Sequence, residues 1–318
     1  VSKFEAMSDL KSKVTTIDLN FHGRPKSIAA FLLDAPAGPI LFETGPHSTI
    51  ASLEAGIRAA GFEPEEIKHV FITHIHLDHA GAAWTFADRG AQIYLHPLGA
   101  RHMIDPSRFV ASAKQIYGEL MDALWGELRP ISESCLTVVD DGEAITIGDT
   151  KVTSHHTPGH AKHHIAWQVE NVAFVGDVAG ISIEGGPVVP PCPPPDIDVQ
   201  LWVESIKKLD KIKEIDSYYL GHFGKIDEVR PHMQELISSL HAHANFIEPF
   251  YRAGKKPEDV MSQFQTFSRE YLLARGITKK TAEIYEVANP AYMGVYGLMR
   301  YWRKFEEGKN INDNREKR

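Results

Sequence analysis

Apolar and polar residues alternate along this chain with two periods, near two and near 3.6 interleaved over its first 220 residues and near 3.6 alone at the end. Residues 14–20, 27–34 and 39–43 read as strands of a β-meander, turned at Gly23-Arg24-Pro25 and at Pro36-Ala37-Gly38-Pro39. Residues 48–61 put Ile50, Leu53, Ile57 and Ala60 on one face and predict a helix. An apolar β-rich run at 67–72 follows, then a short helix from about Ala82 and a strand at 92–95. From 98 to 128 the pattern is helical and leads away from the sheet, suited to a lid or wall or to a purely structural excursion. Strands resume at 136–139, 144–147, 151–155, 164–169 and 172–175.

A proline-dense stretch at 185–198 is stiff enough to wall a pocket or to act as a rigid connector. Helix 199–213 and strand 217–220 complete the strand-bearing part. Beyond about Asp227 only helical patterns remain, at 231–250, 257–275 and 279–305, broken by Pro249, Gly254 and Gly276. Strand-rich sequence on both sides of helical stretches predicts an α/β (α+β) protein, two sheets packed together with helices outside. The division expected is a catalytic domain at 1–228, a C-terminal helical subdomain at 229–305 and a disordered tail at 306–318.

Composition changes this picture little. With 318 residues, 43% hydrophobic and 24% charged, the chain can build a sizeable core. A formal charge of -8 argues against nucleic acid as a partner, because phosphate binding needs a basic face. Cys135 and Cys192 form no CxxC pattern and read as free thiols, as in a reducing interior. Residues 1–13 lack the apolar core of a secretion signal, and no run approaches the ~20 apolar residues of a membrane helix. The expectation is a cytoplasmic protein, with oligomerisation left open.

The chemistry concentrates in Thr73-His74-Ile75-His76-Leu77-Asp78-His79-Ala80-Gly81, a strand-to-helix turn. Histidines at i, i+2 in extended chain point the same way, so His74 and His76 can grip one cation together. Asp78 and His79 lie where the chain turns and must point elsewhere, which suggests a second ion beside the first. A pair needs more ligands, expected at turns that follow strands. Three such places carry His160 in Thr157-Pro158-Gly159-His160, Asp177 after Gly176, and His222 after Gly221. On this reading His160 completes the first site, His222 joins Asp78 and His79 at the second, and Asp177 spans both. His241 and His243, on a helical run, read as solvated.

This set of four motifs, in this order and spacing, resembles the metallo-β-lactamase superfamily of metal-dependent hydrolases over roughly residues 14–225. The resemblance implies a four-layer αβ/βα sandwich with metals in a cleft at the sheet edges, and the same ligands. Where the family usually has Asp before Thr-Gly, this chain has Glu43-Thr44-Gly45. Glu43 is therefore expected to stand behind the ligands and orient a histidine through its outer ring nitrogen. Thr73 and His156 are also expected behind the ligands or in packing.

Nitrogen and oxygen donors without thiolate suit two zinc ions, although iron, manganese, cobalt or nickel could occupy such a site. The flavodiiron relatives carry Glu where this chain has His76, which favours zinc and hydrolysis. The function expected is hydrolysis of an ester-like bond in a small molecule, a thioester, lactone or phosphoester, by a hydroxide held between the ions, with Asp78 and Asp177 as catalytic groups. Glyoxalase II relatives also have a helical C-terminal region, but their Gly-Cys-Gly-Arg-like segment is missing after Asp177, so glutathione specificity does not carry over. The run 77–81 is similar to that of quorum-quenching lactonases. Two alternatives are an iron-dependent oxidoreductase resembling persulfide dioxygenases and a non-catalytic binding protein. Substrate contacts are expected from 107–128, 181–198 and the C-terminal region.

Overall fold

Two six-stranded sheets, packed face to face, take up the period-two segments. The computed structural model describes residues 10–316, the side chains of 11, 12 and 309–316 excepted. The first sheet runs β1 (Val14–Asp18), β2 (Ala29–Ala35), β3 (Gly38–Phe42), β4 (His69–Phe71), β5 (Gln92–Leu95), β6 (Leu136–Val138) in that spatial order. Its first three strands form the antiparallel meander, and β3 to β6 are parallel. The second sheet holds β7 (Ala144–Ile147), β8 (Thr150–His156), β9 (Ile165–Val169), β10 (Val172–Phe174), β11 (Ser217–Leu220) and β12 (Gly224–Ile226). All its neighbours are antiparallel except β10 and β11.

Alternation along each strand sorts side chains into layers. In β2, Phe31 and Leu33 enter the core between the sheets, while Ala30 and Leu32 face outward to α1 (Ile50–Ala59). In β9, Ile165, Trp167 and Val169 share the central core and Ala166 faces the opposite helices. Trp167 is fully buried and ties the sheets by donating from Nε1 to the Ile72 carbonyl at 3.0 Å. Burying a large apolar side chain is worth about 1.5–3 kcal/mol. Packing of this kind, rather than local propensity, holds strands as short as β4 and β10.

Four further helices lie near the cleft end of the first sheet: α2 (Leu77–Ala80), α3 (Ala83–Asp88), α4 (Pro97–Ile104) and α5 (Ser107–Tyr117), followed by α6 (Met121–Trp125). On the far side, α7 (Val199–Asp210), α8 (Val229–Arg252) and α11 (Ala291–Glu316) share one core with the outer face of the second sheet. Between them come α9 (Pro257–Leu273) and α10 (Lys279–Ala288). The result is the expected four-layer αβ/βα sandwich with helices appended at the C-terminus. Among the described residues no helix is long and apolar enough to cross a membrane.

Several local expectations are corrected. Pro249 lies inside α8, near its C-terminal end, rather than ending it; the carbonyl four residues back, which its ring leaves without an amide donor, belongs to Asn245, an exposed residue. The single run expected over 279–305 is two helices, parted at Asn289-Pro290. β12 forms where the sequence pattern predicts no strand. His243 is buried, not solvated: its Nδ1 meets the Ser239 carbonyl at 2.8 Å among the rings of Phe264, Phe267 and Tyr271, whereas His241 is exposed. The backbone of α11 runs to Glu316, through most of the stretch expected as a tail. Residues 317 and 318 lie outside the described residues, as do 1–9 of the stretch read as lacking a secretion signal.

Candidate metal centre

The central motif leaves β4 in extended backbone and enters α2 at Leu77, inside the motif and earlier than expected. That early turn separates the donors. His74, His76, His160 and Asp177 form one group and Asp78, His79 and His222 another, and within each group the candidate donor atoms all lie within 4.8 Å of one another. Side chains spread from position 74 to 222 thus converge on adjoining sites.

In the first group, His74 Nε2 and His160 Nε2 each approach His76 Nδ1 to 3.0 Å. The outer nitrogens explain why these atoms face inward. His160 Nδ1 lies 2.9 Å from the Pro191 carbonyl, which can only accept, so Nδ1 carries the proton and Nε2 presents a lone pair. His222 repeats the device in the second group, its Nδ1 donating to the Ser27 carbonyl at 2.6 Å. Burial first, then neighbouring imidazoles, lower the His74 and His76 pKa, the latter to about 3. Burial also lowers His160. These rings are neutral donors.

The second group is electrostatically different. Burial works to lower the His79 pKa, but Asp177, Asp78 and Glu43 outweigh it and raise it well above the ordinary value. His222 is likewise raised against burial by Asp177 and Asp78. Burial would raise Asp78, yet His79 and then His222 bring it down to about 2, and Asp177 is lowered by the same kind of contact with His79 and His160. Glu43, Asp78 and Asp177 place three carboxylates on one site, the first and last almost fully buried, a concentration of negative charge that calls for positive charge at its centre.

Asp177 faces both groups. Its Oδ2 lies 3.3 Å from His160 Nε2 and 3.9 Å from His74 Nε2; its Oδ1 lies 3.3 Å from His79 Nε2 and 3.6 Å from His222 Nε2. Both ring nitrogens of His79 and Oδ1 of Asp177 are buried without an aligned hydrogen bond. Orphaned buried polar atoms are costly, and here His79 Nε2 and Asp177 Oδ1 face one another at 3.3 Å while His79 Nδ1 faces Glu43 Oε1 at 3.2 Å. A donor set of nitrogen and carboxylate oxygen with these orphans fits divalent metal ions.

Glu43 and Thr73 lie behind the two groups. Glu43 Oε1 accepts a short hydrogen bond from Thr73 Oγ1 and lies 3.2 Å from His79 Nδ1, off the line of a hydrogen bond. Because the Thr73 hydroxyl donates to Glu43, it accepts from His74 Nδ1 at 3.0 Å, which turns the His74 Nε2 lone pair inward. The next residues clamp the main chain: the Thr44 and Gly45 amides and the Thr44 hydroxyl all donate to the His79 carbonyl, at 2.8, 3.1 and 3.0 Å. His156 does not join. Its Nε2 meets the Val139 carbonyl at 2.9 Å and its ring packs on His96, at the C-terminal end of β8.

Sequence reasoning missed His164 and His163. Buried His164 accepts from the Asp177 and Val178 amides at 3.2 and 3.3 Å through Nε2 and faces Thr157 Oγ1 at 2.8 Å through Nδ1, so it sets the turn that aims Asp177. His163 takes the Ile75 amide at 3.5 Å and stands 5.7 Å, ring to ring, from His76. The signal was the His-His pair entering β9, which the strand pattern absorbed.

Gly159 has its own reason. Its φ is +137°, and an ideal Cβ would lie 2.3 Å from Trp202 Cα. Gly159→Ala should therefore push the His160 turn off α7 and cost about 2–4 kcal/mol, read as a lower urea midpoint with unchanged slope. A midpoint equal to wild type would show that the turn is not seated as described.

A cavity of about 810 Å³ opens over both groups, with His76, Asp78, Asp177 and His222 on its floor. Its walls come from α5 and α6, from the proline-dense loop, and from residues around Pro290, all stretches expected to touch substrate. A further wall, around Phe21 to Ile28, was not expected.

Comparison with known proteins agrees with this geometry. The family model described as the metallo-beta-lactamase superfamily matches residues 23–222, a span that encloses all seven candidate ligands. A metallo-beta-lactamase fold-containing protein of Sulfurisphaera tokodaii is 25% identical over 224 residues, 64% of this chain and 83% of that protein. A hydroxyacylglutathione hydrolase of Maricaulis maris is 27% identical over 190 residues, covering 57% of this chain and 58% of that one. The solved metallo-beta-lactamase family protein of Thermus thermophilus shares the fold at a TM-score of 0.64 and 21% identity, over 93% of this chain and 94% of that one.

Proposed function

The chain belongs to the metallo-beta-lactamase superfamily, whose members are typically hydrolytic enzymes, and from that membership we propose that it is a dinuclear metal-dependent hydrolase, loaded with zinc, that cleaves an ester-like bond. His74, His76 and His160 would hold one ion, Asp78, His79 and His222 the other, and Asp177 both. The observation that carries the reading is the division of the Asp177 carboxylate, one oxygen toward each histidine group. Bound there, two divalent ions supply Lewis acidity and a water acidified toward neutrality.

The remaining work falls to the chain's own residues. The carbonyls of Pro191 and Ser27 and the Thr73 hydroxyl hold His160, His222 and His74 with their lone pairs inward. Asp78, 22% exposed at its side chain and lining the cavity, would accept a proton from an attacking water and pass it to the leaving group. The likeness to a hydroxyacylglutathione hydrolase makes a thioester the first class to try, with lactones and phosphodiesters beside it.

Protein loaded with zinc should carry about two ions per chain by mass spectrometry and hydrolyse at least one of these classes. Asp78→Ala should lower that turnover about 10³-fold, the scale of losing one catalytic group. Redox-active iron with oxygen uptake on a persulfide, or equal turnover by Asp78→Ala, would remove the hydrolase reading.

A further inference from the structure

The cavity over the metal groups is lined by two kinds of chemistry. Phe21 stacks on Trp125 at 5.4 Å between centroids, and Tyr117 meets the same indole edge-on at 5.1 Å, an aromatic wall continued by Phe109. The same lining carries the cations Arg101, Arg108 and Lys162. Among the described residues no carboxylate lies within 4 Å of either guanidinium, and Lys162 has one acidic partner, Asp196, at 3.7 Å with the lysine side chain 64% exposed. Arg300 and Lys304 both donate to the carbonyl of Pro195, another lining residue, at 3.0 and 2.7 Å, bringing two more cations to the same cleft. Lys304 is held below its usual range by burial and then by Arg300.

This concentration runs against the chain's formal charge of -8. Like charges brought together cost stability through mutual repulsion, and here two arginines without a carboxylate within 4 Å line the cleft that holds the metal groups beside Lys162, whose one acidic partner is Asp196. We infer that the cleft takes an amphipathic substrate, its apolar end against Phe21, Tyr117 and Trp125 and its other end a multiply anionic group held by Arg101, Arg108 and Lys162. The inference rests on the hydrolase reading only in placing an ester or thioester bond between the two ends. Phosphate and carboxylate could each supply the anion.

Binding of uncleavable thioethers separates the possibilities without turnover. Octyl thioethers of coenzyme A, which brings phosphates, of glutathione, which brings carboxylates, and of neutral N-acetylcysteamine should be titrated calorimetrically into the full-length, zinc-loaded protein. At least one charged ligand should bind roughly tenfold more tightly than the neutral one, and which of the two does so identifies the anion. That advantage should vanish between about 0.01 and about 1 M salt, over which the screening length falls from about 30 to about 3 Å. It should also vanish in the double variant Arg101→Ala with Lys162→Ala and persist in Arg101→Lys, with far-UV circular dichroism confirming that each variant is folded.

Equal binding of all three ligands, or a charged-ligand advantage untouched by the double variant, would overturn the inference. The corresponding thioesters test the hydrolase reading separately. Cleavage without charge preference refutes only the inference, and charge preference without cleavage refutes only the hydrolase.

Discussion

Asp177→Asn should leave a folded protein that binds no more than one metal ion per chain and turns over its substrate at least about 10³-fold more slowly. The substitution keeps the size of the side chain and removes one negative charge from a fully enclosed position. Oδ1 and Oδ2 stand 3.3 Å from His79 and His160 respectively, so an amide can serve one group with its oxygen but must turn its NH₂ toward the other. There it confronts imidazole nitrogens that are to give their lone pairs to a cation. Removing one partner of a buried charged set costs about 3–5 kcal/mol, enough for the proposed loss of an ion. Metal content by mass spectrometry and steady-state kinetics on the same preparation check it. Two ions per chain with wild-type turnover would mean that Asp177 joins nothing.

The strand framework and the seven converging side chains were legible because both rest on strong local patterns. β5 matches its expected bounds, and the central motif, the His160 turn, Asp177 and His222 all follow β-strands whose alternation fixes where the next turn must fall. What stayed hidden depends on partners distant in sequence. β12 has three residues, too few to alternate, and exists because Tyr218 and Leu220 pair with Ile226 and Gly224. His164 and His243 look like any histidines in sequence; one is fixed by the Asp177 turn and the other by aromatic rings of a neighbouring helix. His156, expected behind the ligands or in packing, packs on His96, a choice between the two that its own sequence neighbours do not make. The wall around Phe21 belongs to the first turn of the meander and reaches the cleft only because Trp125, a hundred residues on, folds back against it.

The Glu43→Ala variant should lose metal affinity by about 10–100-fold, more from the second site than from the first. One carboxylate serves two of the proposed ligands: it lies 3.2 Å from His79 Nδ1, and through the Thr73 hydroxyl it fixes the outer nitrogen of His74. The link to His79 is direct and charged, whereas the link to His74 passes through a hydroxyl that can find another acceptor, so the second site should suffer more. Backbone effects can be separated from the carboxylate, because Glu43 has φ of +65°, a left-handed conformation that costs a side chain about 1–2 kcal/mol. Glu43→Gly relieves that cost and deletes the same carboxylate. If the carboxylate orients the histidines, both variants lose metal affinity alike while the glycine variant melts at the higher temperature. A glycine variant that kept wild-type affinity would assign the alanine defect to the main chain and leave the histidines to orient themselves.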